Sequence, residues 1–113
     1  MKRDVGLFIE DVKDSINNIE KFSKGLTKDK FSKDILRQSA IIRQLEIIGE
    51  AVKNIPYSFR EKYPKIPWKD IAGFRDILSH AYFGVNLDRV WNIIKNDLPK
   101  LKEKINKIKI NDS

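Results

Sequence analysis

The sequence predicts an all-α protein, an up-and-down four-helix bundle formed by one domain that spans residues 1–113. Three observations lead to this prediction. Apolar residues recur at three- and four-residue spacing along most of the chain, which is the period of a helix with one buried face. No segment shows the apolar–polar alternation of a half-buried strand. A chain of 113 residues also has room for one modest core.

The first two helices are predicted from the N-terminal half. The first carries the stripe Val5, Phe8, Val12, Ile16, Ile19 and Phe22, and we expect it to end at Gly25. A longer second helix is predicted from about Lys28 to Asn54, stopped by Pro56. Its apolar face is wide enough to be covered on more than one side, and it comprises Phe31, Ile35, Ile42, Leu45, Ile48, Val52 and Ile55, widened by Ile41, Ile47 and Ala51.

The C-terminal half predicts a loop and two further helices. Three of the four prolines fall between Ile55 and Trp68, so this stretch is predicted to be an ordered loop strapped across the bundle. A third helix begins near Pro67 and loses its pattern at Gly84. Asn86 is the expected cap of the fourth helix, which Pro99 bends or breaks. Its stripe is Leu87, Val90, Trp91, Ile94, Leu98, Leu101, Ile105 and Ile108.

Composition restricts the class of protein. The net charge of +7 favours a polyanionic partner, and five lysines in the tail from Lys100 to Lys109 form either the solvated face of a helix or an RNA phosphate contact. The absence of cysteine excludes disulfides and thiolate metal sites. The N-terminus acquires acidic residues at once, unlike a signal peptide, and no apolar run reaches the roughly 18 residues of a membrane span. We therefore expect a cytoplasmic protein with no membrane contact.

The only histidine, His80, lies between Arg75 and Tyr82 in the segment FRDILSHAYFGVN. On a helix, Arg75 and Tyr82 lie within about 20° of each other, whereas Arg75 and His80 are about 140° apart. A straight helix therefore does not place Arg75 and His80 on one face. Either the helix loosens near Gly84, or two copies of the chain complete the site across a dimer.

An arginine and a histidine without nearby metal ligands suit RNA cleavage. A histidine takes the proton of a ribose 2′-hydroxyl or gives one to the leaving 5′-oxygen, while a guanidinium grips the phosphate. The expected product is a 2′,3′-cyclic phosphate, and DNA is spared because it lacks the hydroxyl. Asp76 lies four residues before His80 and is placed to fix its tautomer by a hydrogen bond. Spacing alone leaves a purely structural His80, packed beside Phe74, Leu78 and Phe83, as the alternative.

The run Arg75-Asp76-Ile77-Leu78-Ser79-His80-Ala81-Tyr82 resembles the Arg-x4-His-x-Tyr motif of HepT-type toxins in the HEPN domain family. The likeness covers nearly the whole chain, in order and at matching spacing. It includes Gly49-Glu50-Ala51, Pro67-Trp68, Tyr82-Phe83-Gly84 and Val90-Trp91.

The resemblance implies the toxin of a type VII-like, two-gene toxin–antitoxin system. Such a toxin is a helical homodimer and an endoribonuclease that needs neither metal nor cofactor, with Arg75 and His80 as its catalytic residues and RNA as its substrate. Its partner is a minimal nucleotidyltransferase antitoxin of the MntA type, which transfers AMP to the motif tyrosine, here Tyr82. A phosphate-bearing group on Tyr82 would block the cleft and repel an RNA backbone.

One motif residue of this chain differs from the residue that the family often has at that position. The family often has asparagine after the arginine, where this chain has Asp76. The aspartate adds negative charge beside a phosphate site, which would weaken the nuclease, or it raises the basicity of His80. The sequence leaves both interpretations open.

Other residues are predicted to support the fold. Arg43, Glu46 and Glu50 share a face of the second helix and are expected to pair with one another or, across the dimer, with Arg75. Trp68 and Trp91 are expected to anchor the core or an interface. The loop aromatics Tyr57, Phe59 and Tyr63 are expected to pack into the loop rather than to stack on RNA bases.

Two other functions compete with the nuclease. The first is a helical interaction module without catalytic activity, which binds a nucleotidyltransferase partner and uses the motif as docking surface and modification site. The second is a plain nucleic-acid-binding dimer driven by its lysines, which explains the charge but leaves the motif unexplained.

Overall fold

The computed structural model describes residues 4–75 and 86–109, and the secondary structure in these two ranges is helical. The predicted all-α class is therefore confirmed. In chain order the elements are α1 Val5–Ser23, α2 Lys28–Lys33, α3 Ile35–Lys53, α4 Tyr57–Arg60, α5 Trp68–Ala72, α6 Leu87–Asn92, a π-helical turn Ile93–Asp97, and α7 Leu98–Asn106. No helix within the described ranges is long and apolar enough to cross a membrane.

Helix α1 ends close to Gly25, as predicted, and Asp4 caps its start. The Asp4 carboxylate accepts a hydrogen bond from the Gly6 amide at 3.1 Å, which caps the N-terminus. The chain leaves the helix after Ser23, and Gly25 adopts a φ of +79°, a conformation that side chains other than glycine rarely take.

The prediction of one unbroken helix from Lys28 to Asn54 is wrong, because Asp34 separates α2 from α3. The Asp34 carboxylate accepts the Arg37 amide at 3.0 Å and so starts a new helix, while its own amide donates to the Phe31 carbonyl at 3.2 Å. Ile35, assigned to the buried stripe, is 75% exposed because it lies at the first turn of the new helix.

The core forms where α1 lies along α3, with α5 against α3 and α7 against α1. Burying each Leu or Ile side chain there contributes about 1.5–3 kcal/mol. The buried side chains include most of the predicted stripes: Ile9, Val12, Ile16, Ile19, Ile41, Leu45, Ile48, Val52, Ile71, Phe74, Val90, Ile94, Leu98, Leu101 and Ile105.

The proline-rich connection is an ordered strap, as predicted, and contains the short helix α4. The Trp68 indole N–H donates to the carbonyls of Arg60 at 3.1 Å and Tyr63 at 3.0 Å. The Arg60 guanidinium in turn donates to the carbonyls of Val52 at 2.6 Å and Ile55 at 3.0 Å. These bonds tie the strap to the C-terminal end of α3, and the buried Trp68 is a core anchor, as expected.

The third predicted helix is interrupted at Gly73, and its part beyond Arg75 lies outside the described residues; the fourth continues past Pro99 with a change in winding. Helix α5 ends at Ala72 with Gly73 as its C-cap, and Phe74 and Arg75 are helical again beyond this turn. Asn86 caps α6 as predicted, by accepting the Arg89 amide at 3.1 Å. Ahead of Pro99 the helix widens into the π-helical turn, which accommodates the missing N–H and the bulk of the proline ring without ending the helix.

Candidate active site

Of the four motif residues with predicted roles, the structure describes Arg75. Arg75 is the last residue of the first described range. Asp76, His80 and Tyr82 lie outside the described residues, so the roles predicted for them stay predictions.

Arg75 forms an ion pair with Glu50 of helix α3. Its Nε lies 3.0 Å from the Glu50 Oε2, with the side chains 42% and 54% exposed. Glu50 was expected to pair with its neighbours on the same helix or, across a dimer, with Arg75, whereas this pair with Arg75 forms within one chain. Because both groups are solvated, the pair contributes little to stability. The pair places the guanidinium beside Glu50 in the lining of a cavity.

Gly49 explains how Arg75 comes so close to α3. An ideal Cβ on Gly49 would lie 2.8 Å from the Arg75 amide nitrogen, 3.1 Å from the Arg75 Cβ and 3.3 Å from the Ala72 carbonyl oxygen. Any side chain here would push the two segments apart. The sequence indicated Gly49 only as part of the family likeness and did not reveal this contact.

A cavity of about 460 Å³ opens beside the ion pair, between α1, α3 and Arg75. This volume lies within the range of small-ligand sites. On its α3 side Arg43 pairs with Glu46 at 3.3 Å, which confirms the predicted pairing of these two residues. The cavity lining is Phe8, Asp11, Arg43, Glu46, Ile47, Glu50, Ala51, Asn54 and Arg75.

A second surface, here called the basic groove, lies between the strap and α7 and has a volume of about 470 Å³. Its lining is Lys62, Tyr63, Pro64, Lys65, Ile66, Lys100, Glu103, Lys104 and Lys107. The Lys104 ammonium donates to the Lys65 carbonyl at 3.0 Å, and Lys107 lies 3.6 Å from Glu103. The sequence pointed to the α7 lysines but did not place the strap lysines beside them, because the two segments are distant in the chain.

The aromatic residues outside the core cluster have distinct environments. Phe59 and Tyr63 pack on each other with ring centroids 5.3 Å apart, as expected for the loop, whereas Tyr57 is 74% exposed. Trp91 packs on Phe31 at 5.4 Å, and the Lys95 ammonium lies 4.8 Å from the centre of its ring.

The contact between Arg75 and Glu50 indicates which nitrogens of the guanidinium can bind a phosphate. The contact of the pair with Glu50 is at Nε, and the guanidinium carries further N–H donors on Nη1 and Nη2. Two parallel guanidinium N–H groups match the oxygens of a phosphate. In residues 4–75 and 86–109 no group of three or more His, Cys, Asp or Glu side chains is arranged to hold a metal ion.

Comparison with known proteins identifies several relatives. A Thermococcus cleftensis protein named "Probable ribonuclease HepT" is 45% identical over 109 residues, covering 96% of this chain and 99% of that protein. A Methanocaldococcus jannaschii protein named "Putative RNase" is 45% identical over 107 residues, covering 95% and 88% of the two chains. A second protein from that organism, named "Gamma-glutamylcyclotransferase and putative RNase", is 50% identical over 108 residues, which span 96% of this chain but only 49% of that protein.

No solved structure matches the chain significantly. The model of the family described as "Ribonuclease HepT-like" matches residues 12–108, which includes α3, Arg75 and the whole motif segment. Full-length similarity to the archaeal relatives agrees with this match. The chain therefore belongs to the HepT-like ribonuclease family.

Proposed function

We propose that the chain is an endoribonuclease that cleaves RNA without a metal ion, with Arg75 and His80 as its catalytic residues. The observation that carries the proposal is the position of Arg75. This motif arginine is partly exposed beside a cavity of about 460 Å³, and its contact with Glu50 is at Nε. A ribonuclease needs a cation in such a place to bind the scissile phosphate.

The proposed reaction is an internal transfer. A neutral imidazole of His80 removes the proton of a ribose 2′-hydroxyl, and the 2′-oxygen forms a bond to phosphorus as the bond from phosphorus to the 5′-oxygen breaks. A protonated imidazole, supplied by the second copy in a homodimer, gives a proton to the departing 5′-oxygen. Arg75 stabilises the charge that develops on the phosphate oxygens, and the products are a 2′,3′-cyclic phosphate and a 5′-hydroxyl.

RNA as the substrate has two kinds of support. The relatives with full-length similarity are named as ribonucleases. The basic groove carries five lysines and one glutamate, and Lys62, Lys65 and Lys100 have no acidic partner among the described residues. A strip of solvated lysines binds a phosphate backbone by releasing its counterions. We propose that the basic groove contacts the RNA away from the cleavage site.

The wider proposal concerns control of the nuclease. The chain acts in the cytoplasm as the homodimeric toxin of a toxin–antitoxin pair, and a minimal nucleotidyltransferase of the MntA type neutralises it. Transfer of AMP to Tyr82 places a phosphodiester two residues from His80 and within the same motif as Arg75. Its negative charge and bulk oppose entry of an RNA backbone.

Induced expression in bacterial cells tests this function. We expect the wild type to arrest growth and fragment total RNA, and folded Arg75→Ala and His80→Ala variants to do neither. Circular dichroism of the purified variants verifies that they fold. Co-expression of the nucleotidyltransferase should restore growth with the wild type and fail to do so with Tyr82→Phe.

A harmless wild type, or variants as toxic as the wild type, would contradict the nuclease. If His80→Ala instead abolished binding to the nucleotidyltransferase while RNA stayed intact in every strain, the motif would be a docking surface. The chain would then be the interaction module that competes with the nuclease.

A further inference from the structure

We propose that Glu50 is a positioning residue for the nuclease, and that it acts by holding Arg75 through Nε so that Nη1 and Nη2 point to the phosphate. The inference rests on the proposed function and assigns a role to a residue outside the Arg-x4-His-x-Tyr motif.

The contact itself supports an orienting role. Glu50 Oε2 lies 3.0 Å from Arg75 Nε, the nitrogen nearest the backbone side of the guanidinium. An acid paired with Nη1 and Nη2 would occupy the fork that a phosphate needs, whereas an acid at Nε leaves those two donors available. A contact at Nε therefore orients the planar group, and the N–H groups on the far side of Nη1 and Nη2 are the donors that would meet a phosphate.

The backbone of Arg75 is held by the residue next to Glu50. Gly49 has no side chain, and an ideal Cβ there would lie 2.8 Å from the Arg75 amide nitrogen. Two consecutive residues of α3 thus define both ends of Arg75, Gly49 at the main chain and Glu50 at the guanidinium. An arginine has several rotatable bonds, so contacts at both ends favour one arrangement of the side chain before substrate binds.

Helix α3 is a rigid support for this contact. Leu45, Ile48 and Val52 are fully buried on the helix that carries Glu50. The Asn54 side chain donates to the Glu50 carbonyl at 2.9 Å, one turn further along the same helix. A catalytic group held by an element of this kind is placed more accurately than one held by a loop.

Glu46 provides a matched control on the same helix and in the same cavity. Glu46 lies one turn before Glu50 and pairs with Arg43 at 3.3 Å rather than with Arg75. Replacing either glutamate removes one negative charge from the cavity lining. A general electrostatic effect on RNA therefore appears in both variants, and a positioning effect appears only at Glu50.

The experiment measures RNA cleavage by the full-length protein with Glu50→Ala, Glu50→Gln and Glu46→Ala. Because misplacing a catalytic group by about 1 Å can cost about 100-fold, we expect Glu50→Ala to lower kcat by about 10- to 100-fold with KM little changed. Glutamine keeps a side-chain oxygen beside Nε but loses the charge of the ion pair, so the kcat of Glu50→Gln should lie between those of Glu50→Ala and the wild type, and Glu46→Ala should match the wild type.

Two results would overturn the inference. If Glu50→Ala and Glu46→Ala had the same kcat, the positioning role would be absent. If both Glu50 variants cleaved faster than the wild type, the carboxylate would compete with the phosphate for Arg75 and would inhibit rather than position.

The ¹⁵N resonance of Arg75 Nε separates this inference from the proposed function. We expect the resonance to shift in Glu50→Ala and to stay in place in Glu46→Ala, whether or not the protein cleaves RNA. An unchanged resonance in Glu50→Ala overturns the ion pair and the positioning role with it. An inactive wild type with a shifted resonance would overturn the nuclease, and with it the positioning role, while the ion pair would stand.

Discussion

The main chain at Arg75 lies against Gly49 so closely that a Cβ on the glycine would be 2.8 Å from the Arg75 nitrogen. This contact joins α3 to the start of the motif segment. The main chain of Arg75 cannot rotate away from a Cβ at residue 49 as a flexible side chain would. A substitution of Gly49 therefore has a predictable effect on the site.

Gly49→Ala should impair cleavage more than it impairs folding. The added methyl group overpacks the contact at about 1–3 kcal/mol, while the better helix propensity of alanine returns about 1 kcal/mol. We expect a net stability loss of about 1 kcal/mol in urea denaturation and a fall in kcat of at least about tenfold, because Arg75 is displaced.

Gly25→Ala is the control for that prediction. Gly25 has a φ of +79° and no atom within 4 Å of an ideal Cβ, so the substitution strains the backbone away from the site. It should cost about 1–2 kcal/mol of stability and leave kcat unchanged. Equal losses of activity in Gly25→Ala and Gly49→Ala would show that activity follows overall stability.

Trp68→Phe should destabilise the fold by about 2 kcal/mol. The indole N–H donates to the carbonyls of Arg60 and Tyr63, and phenylalanine leaves both without this donor. Trp91→Phe should cost less than about 1 kcal/mol, because the partly buried Trp91 contributes mainly its packing on Phe31. Urea denaturation followed by circular dichroism measures both; equal losses would contradict the role assigned to the Trp68 hydrogen bonds.

The start of α3 should lose stability in acid. The backbone hydrogen bond from Arg37, followed by its side-chain hydrogen bond, lowers the pKa of Asp34 below its usual value of 3.8. A carboxyl whose folded pKa is lowered stabilises the fold above the unfolded pKa, and this contribution disappears as pH falls from near 3.8 through the lower folded value.

An NMR titration of Asp34 tests this prediction directly. The carboxyl pKa should rise toward its usual value in Arg37→Ala, which lacks the guanidinium 2.8 Å from Asp34 Oδ2. The main-chain hydrogen bond from residue 37 survives the substitution, so part of the lowering should remain. The same pKa in wild type and Arg37→Ala would contradict the side-chain contribution.

The basic groove should contribute to RNA affinity through charge. We expect Lys62→Gln with Lys65→Gln to weaken RNA binding and to reduce the slope of log K against log salt by about 1.4, because each lost phosphate contact on a single strand removes about 0.7. Lys21→Gln with Lys24→Gln removes the same net charge from another exposed surface. Equal effects of the two double substitutions in a fluorescence-anisotropy titration would contradict a specific role for the groove.

Local patterns predicted the helical class, the Asn86 cap, the end of α1 near Gly25 and most of the core. The spacing of Val12, Ile16 and Ile19 required a helix with one buried face, and Asn86 had both the residue type and the place of a cap. These features depend on neighbours within about four residues along the chain, which a sequence displays directly.

The sequence did not predict features that depend on competition or on distant contacts. The apolar stripe continues on both sides of Asp34, so the periodicity predicted one helix. The hydrogen bonds that Asp34 makes instead end α2 and start α3. The Glu50–Arg75 ion pair joins residues from two segments, and its place within one chain depends on the close approach that Gly49 permits. The arginine itself was recognised from the motif, whereas the acid that orients it became evident only in the folded chain.

Cleavage of a short RNA by the purified protein in the presence of EDTA is the most direct test of the proposed ribonuclease activity. We expect the wild type to produce fragments that end in a 2′,3′-cyclic phosphate and to leave DNA of the same sequence intact. Arg75→Ala and His80→Ala, with unchanged circular dichroism spectra, should each lose at least about 100-fold in rate. An intact RNA with the wild type, or cleavage by His80→Ala at the wild-type rate, would contradict a metal-independent ribonuclease with His80 as a catalytic residue.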